Sequence, residues 1–200
     1  MSRFTGVTEY KDYALPQTYA AKGYAEEILA AGEKQLKAAL QKHSQVFVVH
    51  LMLHFPQSLD ISPNTDNSCF QSFVESYIRY LTTRKFAPRY LWCREIGSMN
   101  GHLHYHLLLF LNGHSIQFFN MEEIDNANRY WQQAIEKNYD ICGQQQVHVA
   151  SDNFKVLRDS PETFARAVSE KIAYLSKLTT KQNCGPHIRN WGQSLTRPTY

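Results

Sequence analysis

The sequence predicts an α+β fold: an antiparallel central sheet with helices packed on it. Three observations lead there. Apolar residues recur at helical spacing in four segments, and β-rich runs fall between those segments. The two middle runs are joined by a loop too short for a crossover helix, so they read as an antiparallel hairpin. No linker-like stretch divides the 200 residues, a length that buries a full core without disulfide or metal staples.

Residues 1–18 read as irregular, interrupted by Pro16. Residues 20–43 predict a helix, because Ala, Glu, Lys, Gln and Leu dominate and Ile28, Leu29, Leu36 and Leu40 share a face. The run 46–55 is a strand stopped by Pro56, and a polar turn follows through Pro63 and Asn64. A helix starts near Asp66, with Phe70, Phe73, Val74, Tyr77, Ile78 and Leu81 as its apolar stripe, and Pro88 ends the pattern. Strands 89–96 and 102–111 come next, the second closed by Asn112-Gly113. Asn120 caps a helix over 120–137, with Glu122 and Glu123 at its positive end. Residues 145–150 form a short fourth strand. Ser160-Pro161-Glu162 opens a helix to about Leu178, and Gly185-Pro186 breaks the chain before an irregular tail. The motifs discussed below leave residues 1–43 as an N-terminal helical extension, a packing helix or an interaction arm, and 44–200 as the main domain.

Composition excludes several classes. With 43% hydrophobic and 13% aromatic residues, the chain is not disordered. Cys69, Cys93, Cys142 and Cys184 are far apart and form no CxxC pair, which argues against a zinc ribbon and against a disulfide framework. No run approaches the ~18 apolar residues of a membrane span, and residues 1–25 hold no signal-peptide core. The expectation is a cytoplasmic protein with reduced thiols and no membrane partner. The net charge of +3 says little, yet it is unevenly spread. Residues 155–200 carry eight Lys/Arg against three Asp/Glu, whereas 101–154 carry two against six. A basic C-terminal quarter suits phosphate contacts, and equally a solvated surface.

Three of the nine histidines are His102, His104 and His106. On a strand all three point one way, while Leu103 and Tyr105 point to a core. Neutral imidazoles two apart can converge on a cation. Glu95, on the paired strand, offers an oxygen ligand, and a His, His, carboxylate set with open positions suits catalysis more than structure. An oxygen ligand brings Mg2+ or Mn2+ into range where a phosphate completes the shell. His50 and His54 share a face of the first strand; they could line the same cavity or make local hydrogen bonds at a strand edge. Tyr174 and Lys177 are neighbours on the last helix. A phenol, with a pKa near about 10, becomes a competent nucleophile beside a Lys and a divalent cation. Tyr19 with Lys22 repeats the spacing.

The segment His104-Tyr105-His106-Leu107-Leu108-Leu109-Phe110, with Tyr174-Leu175-Ser176-Lys177 downstream, resembles the HUH endonuclease superfamily, the rolling-circle replication initiators and their relatives. The strand around Phe47-Val48-Val49-His50-Leu51 is similar to the first, mainly structural motif of those proteins. A narrower resemblance is to proteins like the gene-II replication protein of filamentous phages. It is carried by residues 90–95 and 101–112, by Lys181, and by Arg189-Asn190-Trp191-Gly192-Gln193-Ser194, where that family usually has Phe in place of Trp191. The resemblance implies a ferredoxin-like or RRM-like core. It implies Mg2+ or Mn2+ held by His104 and His106, with Glu95 or His102 completing the set. The alternative pair is His102 and His104, and the aliphatic run directly after His106 favours His104 and His106. Tyr174 would attack a DNA phosphodiester, leaving a 3′-hydroxyl and a 5′-phosphotyrosine, with Lys177 assisting. Arg94, Lys171, Lys181, Arg189 and Trp191 are the expected DNA contacts. The implied partners are single-stranded DNA or an origin hairpin, with a host helicase or polymerase.

Other readings share or abandon that chemistry. A relaxase places its Tyr before the metal strand, where Tyr19 lies, and a single-tyrosine transposase keeps the order seen here. A regulatory protein could retain the scaffold and bind DNA without cutting it, through aromatic and Arg side chains at Arg89, Tyr90, Trp92 and Arg94. A zinc-stabilised structural domain would need four closed ligands, which the cysteine placement does not support.

Overall fold

Strands β5 (Gln45–His54) and β7 (Leu103–Asn112) pair antiparallel over almost their whole length in the computed structural model, from Val46 opposite Asn112 to His54 opposite His104. The structure describes residues 3–59, 61–97, 101–141, 146–150, 152–179, 181 and 188–195. Cys142, Cys184, His187, the Gly185-Pro186 break and the Gln145 start of the fourth strand lie outside the described residues. Strand β6 (Arg89–Ile96) flanks β7, and β8 (Val147–Val149) flanks β5. Two further strands, one in a stretch given no element and one in the tail expected to be irregular, complete the antiparallel sheet. These are β9 (Phe154–Leu157), on residues 45–48 of β5, and β10 (Trp191–Gln193), on β6. Both are too short to show a period. In β10 the middle residue is Gly192, where an added Cβ would stand 2.6 Å from the Trp92 indole nitrogen.

Helices cover both faces, because the central strands are apolar at both parities. On one face lie Phe47, Val49, Leu51 and Leu53 of β5 with Leu103, Tyr105, Leu107 and Leu109 of β7. They pack against α3 (Ser68–Thr83) and α4 (Met121–Tyr139) through Phe70, Phe73, Tyr77 and Trp131. On the other lie Val46, Val48, Leu91, Cys93, Leu108 and Phe110. They meet α2 (Glu26–Lys42) and the helical stretch that begins with α5 (Pro161–Arg166). The caps read from sequence form: the Asn120 side chain accepts from the Glu123 amide, and Ser160 from the Thr163 amide.

The N-terminal part is not a separate layer. Ile28, Leu29 and Leu36 are fully buried on the sheet. Gly32 lets α2 approach the last helix so closely that an added Cβ would lie 2.5 Å from Ile172. Residues 3–25, expected to be irregular up to residue 18, form two short strand pairs, β1 (Arg3–Phe4) with β4 (Tyr24–Ala25) and β2 (Glu9–Tyr10) with β3 (Tyr13–Ala14), and a helical turn, α1 (Gln17–Ala20). The α2 helix therefore shares the core of the second sheet face. Among the described residues no helix is long and apolar enough to cross a membrane.

The predicted helix 160–178 is helical to Ser176 but not uniform. A π-helical segment, Ala167–Ile172, separates α5 from α6 (Ala173–Ser176). The wider turn rotates everything after it relative to a plain α-helix, and π segments occur often at functional sites. Tyr174 sits immediately beyond.

Candidate functional site

The second sheet face changes character along its length. At one end β5, β6 and β7 present Val46, Val48, Leu91, Leu108 and Phe110. At the other, the same parity presents His50 and His54, Glu95, and His104 and His106. Register brings these together, with Glu95 opposite His104, His106 opposite Cys93 and His54 opposite His104.

Glu95, His104 and His106 offer three ligand atoms that lie within 4.8 Å of one another. His106 Nε2 is 3.3 Å and His104 Nε2 is 3.9 Å from Glu95 Oε2. His106 is 1% exposed, so its Nε2 meets the Glu95 carboxylate out of water. Two imidazole nitrogens and a carboxylate oxygen this close together fit a divalent cation. His102 stands differently. It precedes β7, is exposed, and its carbonyl lies 3.3 Å from His104 Nδ1. It does not belong to the three-atom group.

Two lysines close on the same carboxylate. Lys177 Nζ is 3.2 Å from Oε2 and Lys181 Nζ 2.9 Å from Oε1. Burial alone would raise the Glu95 carboxyl, but His106, Lys181 and Lys177 hold it well below the usual carboxylate range. Burial also lowers His104 and His106, so both stay neutral donors at pH 7. The adjacent Cys93 thiol is pushed up to about 12 by burial and is no rival nucleophile.

Tyr174 borders this cluster. Its ring meets the edge of His106 at 5.4 Å and of His50 at 5.5 Å, centroid to centroid. Lys177 is its neighbour as the spacing predicts, but not in the expected way. The ammonium lies 3.4 Å from the ring centroid and is paired to Glu95. Burial, then Glu95, raises the phenol above its ordinary value. In this arrangement the buried carboxylate pairs with the Lys177 ammonium. A cavity of about 310 Å³ opens beside the phenol, lined by Tyr19, Asp152, Glu170, Lys171 and Tyr174 among others.

The expected DNA contacts divide. Lys171 is buried, 5.8 Å from the Phe154 ring, and lines the cavity. Lys181 is tied to Glu95. Arg189 is exposed next to β10, and Trp191 is half-buried against the core of the site face. Arg94 stands apart from the others. It points to the opposite face, is 1% exposed, and donates to the carbonyls of Thr65 and Pro63 and to Asn67 Oδ1. Its guanidinium pins the 63–67 segment. Arg94→Ala is expected to lower unfolding stability by about 3 kcal/mol, read from urea midpoints, by orphaning those acceptors. Unchanged stability with weakened DNA binding would restore the contact role.

Sequence reasoning left three partners unassigned. His50 is 3% exposed, and its Nε2 lies 2.9 Å from His106 Nδ1. His54 stacks on His104 at 5.2 Å, and His148 meets His54 at 5.7 Å. The shared parity of His50 and His54 was the available signal, but it does not say what faces them.

Among solved structures, the N-terminal nuclease domain of non-structural protein 1 of minute virus of mice overlaps the chain loosely. The TM-score is 0.37 and the identity 11%, over 72% of this chain and 81% of that one. That viral domain is described as coordinating Zn2+ in its active-site pocket and recognising DNA at the origin of replication. A search of curated proteins gives no match. The profile of the YagK/YfjJ C-terminal domain matches residues 8–194, which takes in both sheet faces, α2, the His and Glu cluster and Tyr174, and the chain belongs to that family.

Proposed function

We propose that this protein nicks and rejoins single-stranded DNA with a divalent metal, through a 5′-phosphotyrosine on Tyr174. One observation carries the reading. Tyr174 edges onto His106, a member of a buried Glu95, His104 and His106 donor set, beside an open cavity. A nucleophile and a cation site that close need a substrate spanning both, and a phosphodiester does so. Mg2+ or Mn2+ bound there would polarise a phosphate oxygen and stabilise charge building on it.

The chain's own groups do the rest. The phenol oxygen of Tyr174 forms the bond to phosphorus while the bond to the 3′ oxygen breaks. The phenol proton ends, in net terms, on the released 3′-hydroxyl. One ester replaces another, so rejoining needs no nucleotide cofactor. Lys171, at the cavity wall, supplies positive charge toward the strand, and Lys177 fixes the ring from its face. The narrower reading is a rolling-circle initiator akin to the gene-II-like proteins. It rests on the His strand preceding the Tyr helix, an order that single-tyrosine transposases share.

The test is to incubate the protein with Mn2+ and labelled single-stranded oligonucleotides or origin-like hairpins, with and without chelator. A covalent, metal-dependent adduct mapping to the Tyr174 peptide is the expected result. A second reading, a DNA-binding regulator on the same scaffold, is favoured by the pairing of both Glu95 oxygens with lysines, which balances the charge without turnover. Intact DNA binding with no adduct under any divalent metal would select it.

A further inference from the structure

Tyr19 has no part in the proposed reaction, yet the fold fastens it beside Tyr174. Its helical turn closes at Gly23, whose φ of +87° a side chain would strain and whose amide donates to the Tyr19 carbonyl at 2.9 Å. The Gly23 carbonyl then accepts from the Leu178 amide at 3.0 Å, and Tyr24 pairs with Lys177 across an isolated bridge. The Tyr24 ring is fully buried, and its hydroxyl donates to the Pro16 carbonyl. The turn that carries Tyr19 is thereby tied to the segment that carries Tyr174 and Lys177.

The cavity of about 310 Å³ lies between the two. Pro16 and Tyr19 line it from the N-terminal turn, Glu170, Lys171 and Tyr174 from the last helical stretch, and Asp152 from the segment before β9. The Tyr19 ring is half-buried and meets Tyr174 edge to face at 6.1 Å. The charges offset one another. Both Glu170 oxygens accept from Arg166 Nε, and Glu170 and Asp152 both act on the buried Lys171 ammonium. Such a wall holds little surplus positive charge for a second phosphate. It suits an uncharged planar group, and a phenol ring offers that group a π face. The volume is at the small end for a ligand pocket, with room for one nucleoside and not for a base pair.

We propose that this cavity takes one unpaired base of a DNA strand whose backbone passes Tyr174, and that Tyr19 is the aromatic platform on which the base stacks. The assignment rests on the nicking reading for the path of the strand. It narrows the substrate to DNA that is unpaired at the nucleotide beside the scissile phosphate, because a paired base would first have to leave its stack. It also gives residues 3–25 a purpose beyond packing.

The experiment measures binding by fluorescence anisotropy, with chelator present so that nothing is cut. The probes are a labelled twelve-nucleotide thymidine strand and an abasic strand with the same number of phosphates. The proteins are the full-length chain, Tyr19→Phe, Tyr19→Leu and Tyr19→Ala. The Leu and Ala variants are expected to bind the thymidine strand about 5- to 150-fold more weakly, the worth of one stacked base, and Phe to bind as the wild type does. All four are expected to bind the abasic strand alike. The slope of log affinity against log salt should be the same throughout, since no phosphate contact is lost. A structural role alone would weaken both strands equally, and a hydroxyl contact to phosphate would make Phe fail with Ala. Either of those patterns, or a Leu variant that binds the thymidine strand as tightly as the wild type, overturns the proposal. If the stacking pattern holds but no DNA adduct ever forms, the nicking reading fails and the base slot stands. If the adduct forms but the pattern is absent, the base slot alone fails.

Discussion

Tyr174→Phe is expected to reduce the covalent DNA adduct at least about 1000-fold, to background, while Tyr19→Phe retains it. The two tyrosines compete because the fold brings them together. Tyr19, on α1, stands 6.1 Å from Tyr174 ring to ring, and both line one cavity. Position along the chain therefore does not separate them, but surroundings do. Tyr174 borders His106 and His50, and the Lys177 ammonium lies 3.4 Å from its ring centroid against 6.0 Å for Tyr19. The contacts of Tyr19 are with other phenols, Tyr24 and Tyr174. Removing the Tyr174 hydroxyl leaves the ring packing, so a melting curve close to wild type should accompany the lost adduct. An adduct that survives in Tyr174→Phe and vanishes in Tyr19→Phe would invert the assignment and indicate the relaxase-like order.

How much of this was legible follows from which interactions are local. Strand parity placed Leu103 and Tyr105 in the core and His104 and His106 together on the other face, and the hairpin put Glu95 beside them. Those inferences need only a two-residue period and one short turn. Parity also grouped Arg94 with Trp92, yet which face a segment such as 63–67 covers depends on contacts some thirty residues away. Arg94 was accordingly expected at DNA and is found beneath a loop. The placement of His50 depends on contact with His106, 56 positions on, and that of Lys181 on pairing with Glu95, 86 positions back. The π segment before Tyr174 has no residue signature that distinguishes it from α-helix. Strands β9 and β10 span four and three residues, too few for alternation to register. Local pattern thus located the cluster, and tertiary pairing placed the candidate ligands and the lysines that face them.

Glu95→Ala is expected to cost about 3–5 kcal/mol of stability, because it strands two buried ammonium groups. The side chains of Lys177 and Lys181 are only 6% and 1% exposed, and both depend on this carboxylate. The same coupling sets a pH profile in the wild type. His50, His104 and His106 have native pKa values below the ordinary 6.5, so the unfolded chain binds their protons first. Stability then falls as pH drops below about 6.5, by up to about 1.4 kcal/mol per pH unit for each such group. Glu95 adds a second loss. Its native carboxyl is held far below the ordinary 4.5, so its contribution is complete above that value and drains away as pH falls beneath it. Glu95→Gln preserves the volume and removes the second loss, while His104 and His106 lose the carboxylate that raises them and so keep the first. Urea midpoints from pH 7 to pH 3 should therefore show the wild type steeper than Glu95→Gln below about 4.5, with the variant less stable at pH 7. Superimposable curves would mean that the carboxylate is not the charge that holds the two lysines in the core, and would remove the electrostatic basis for treating Glu95, Lys177 and Lys181 as one unit.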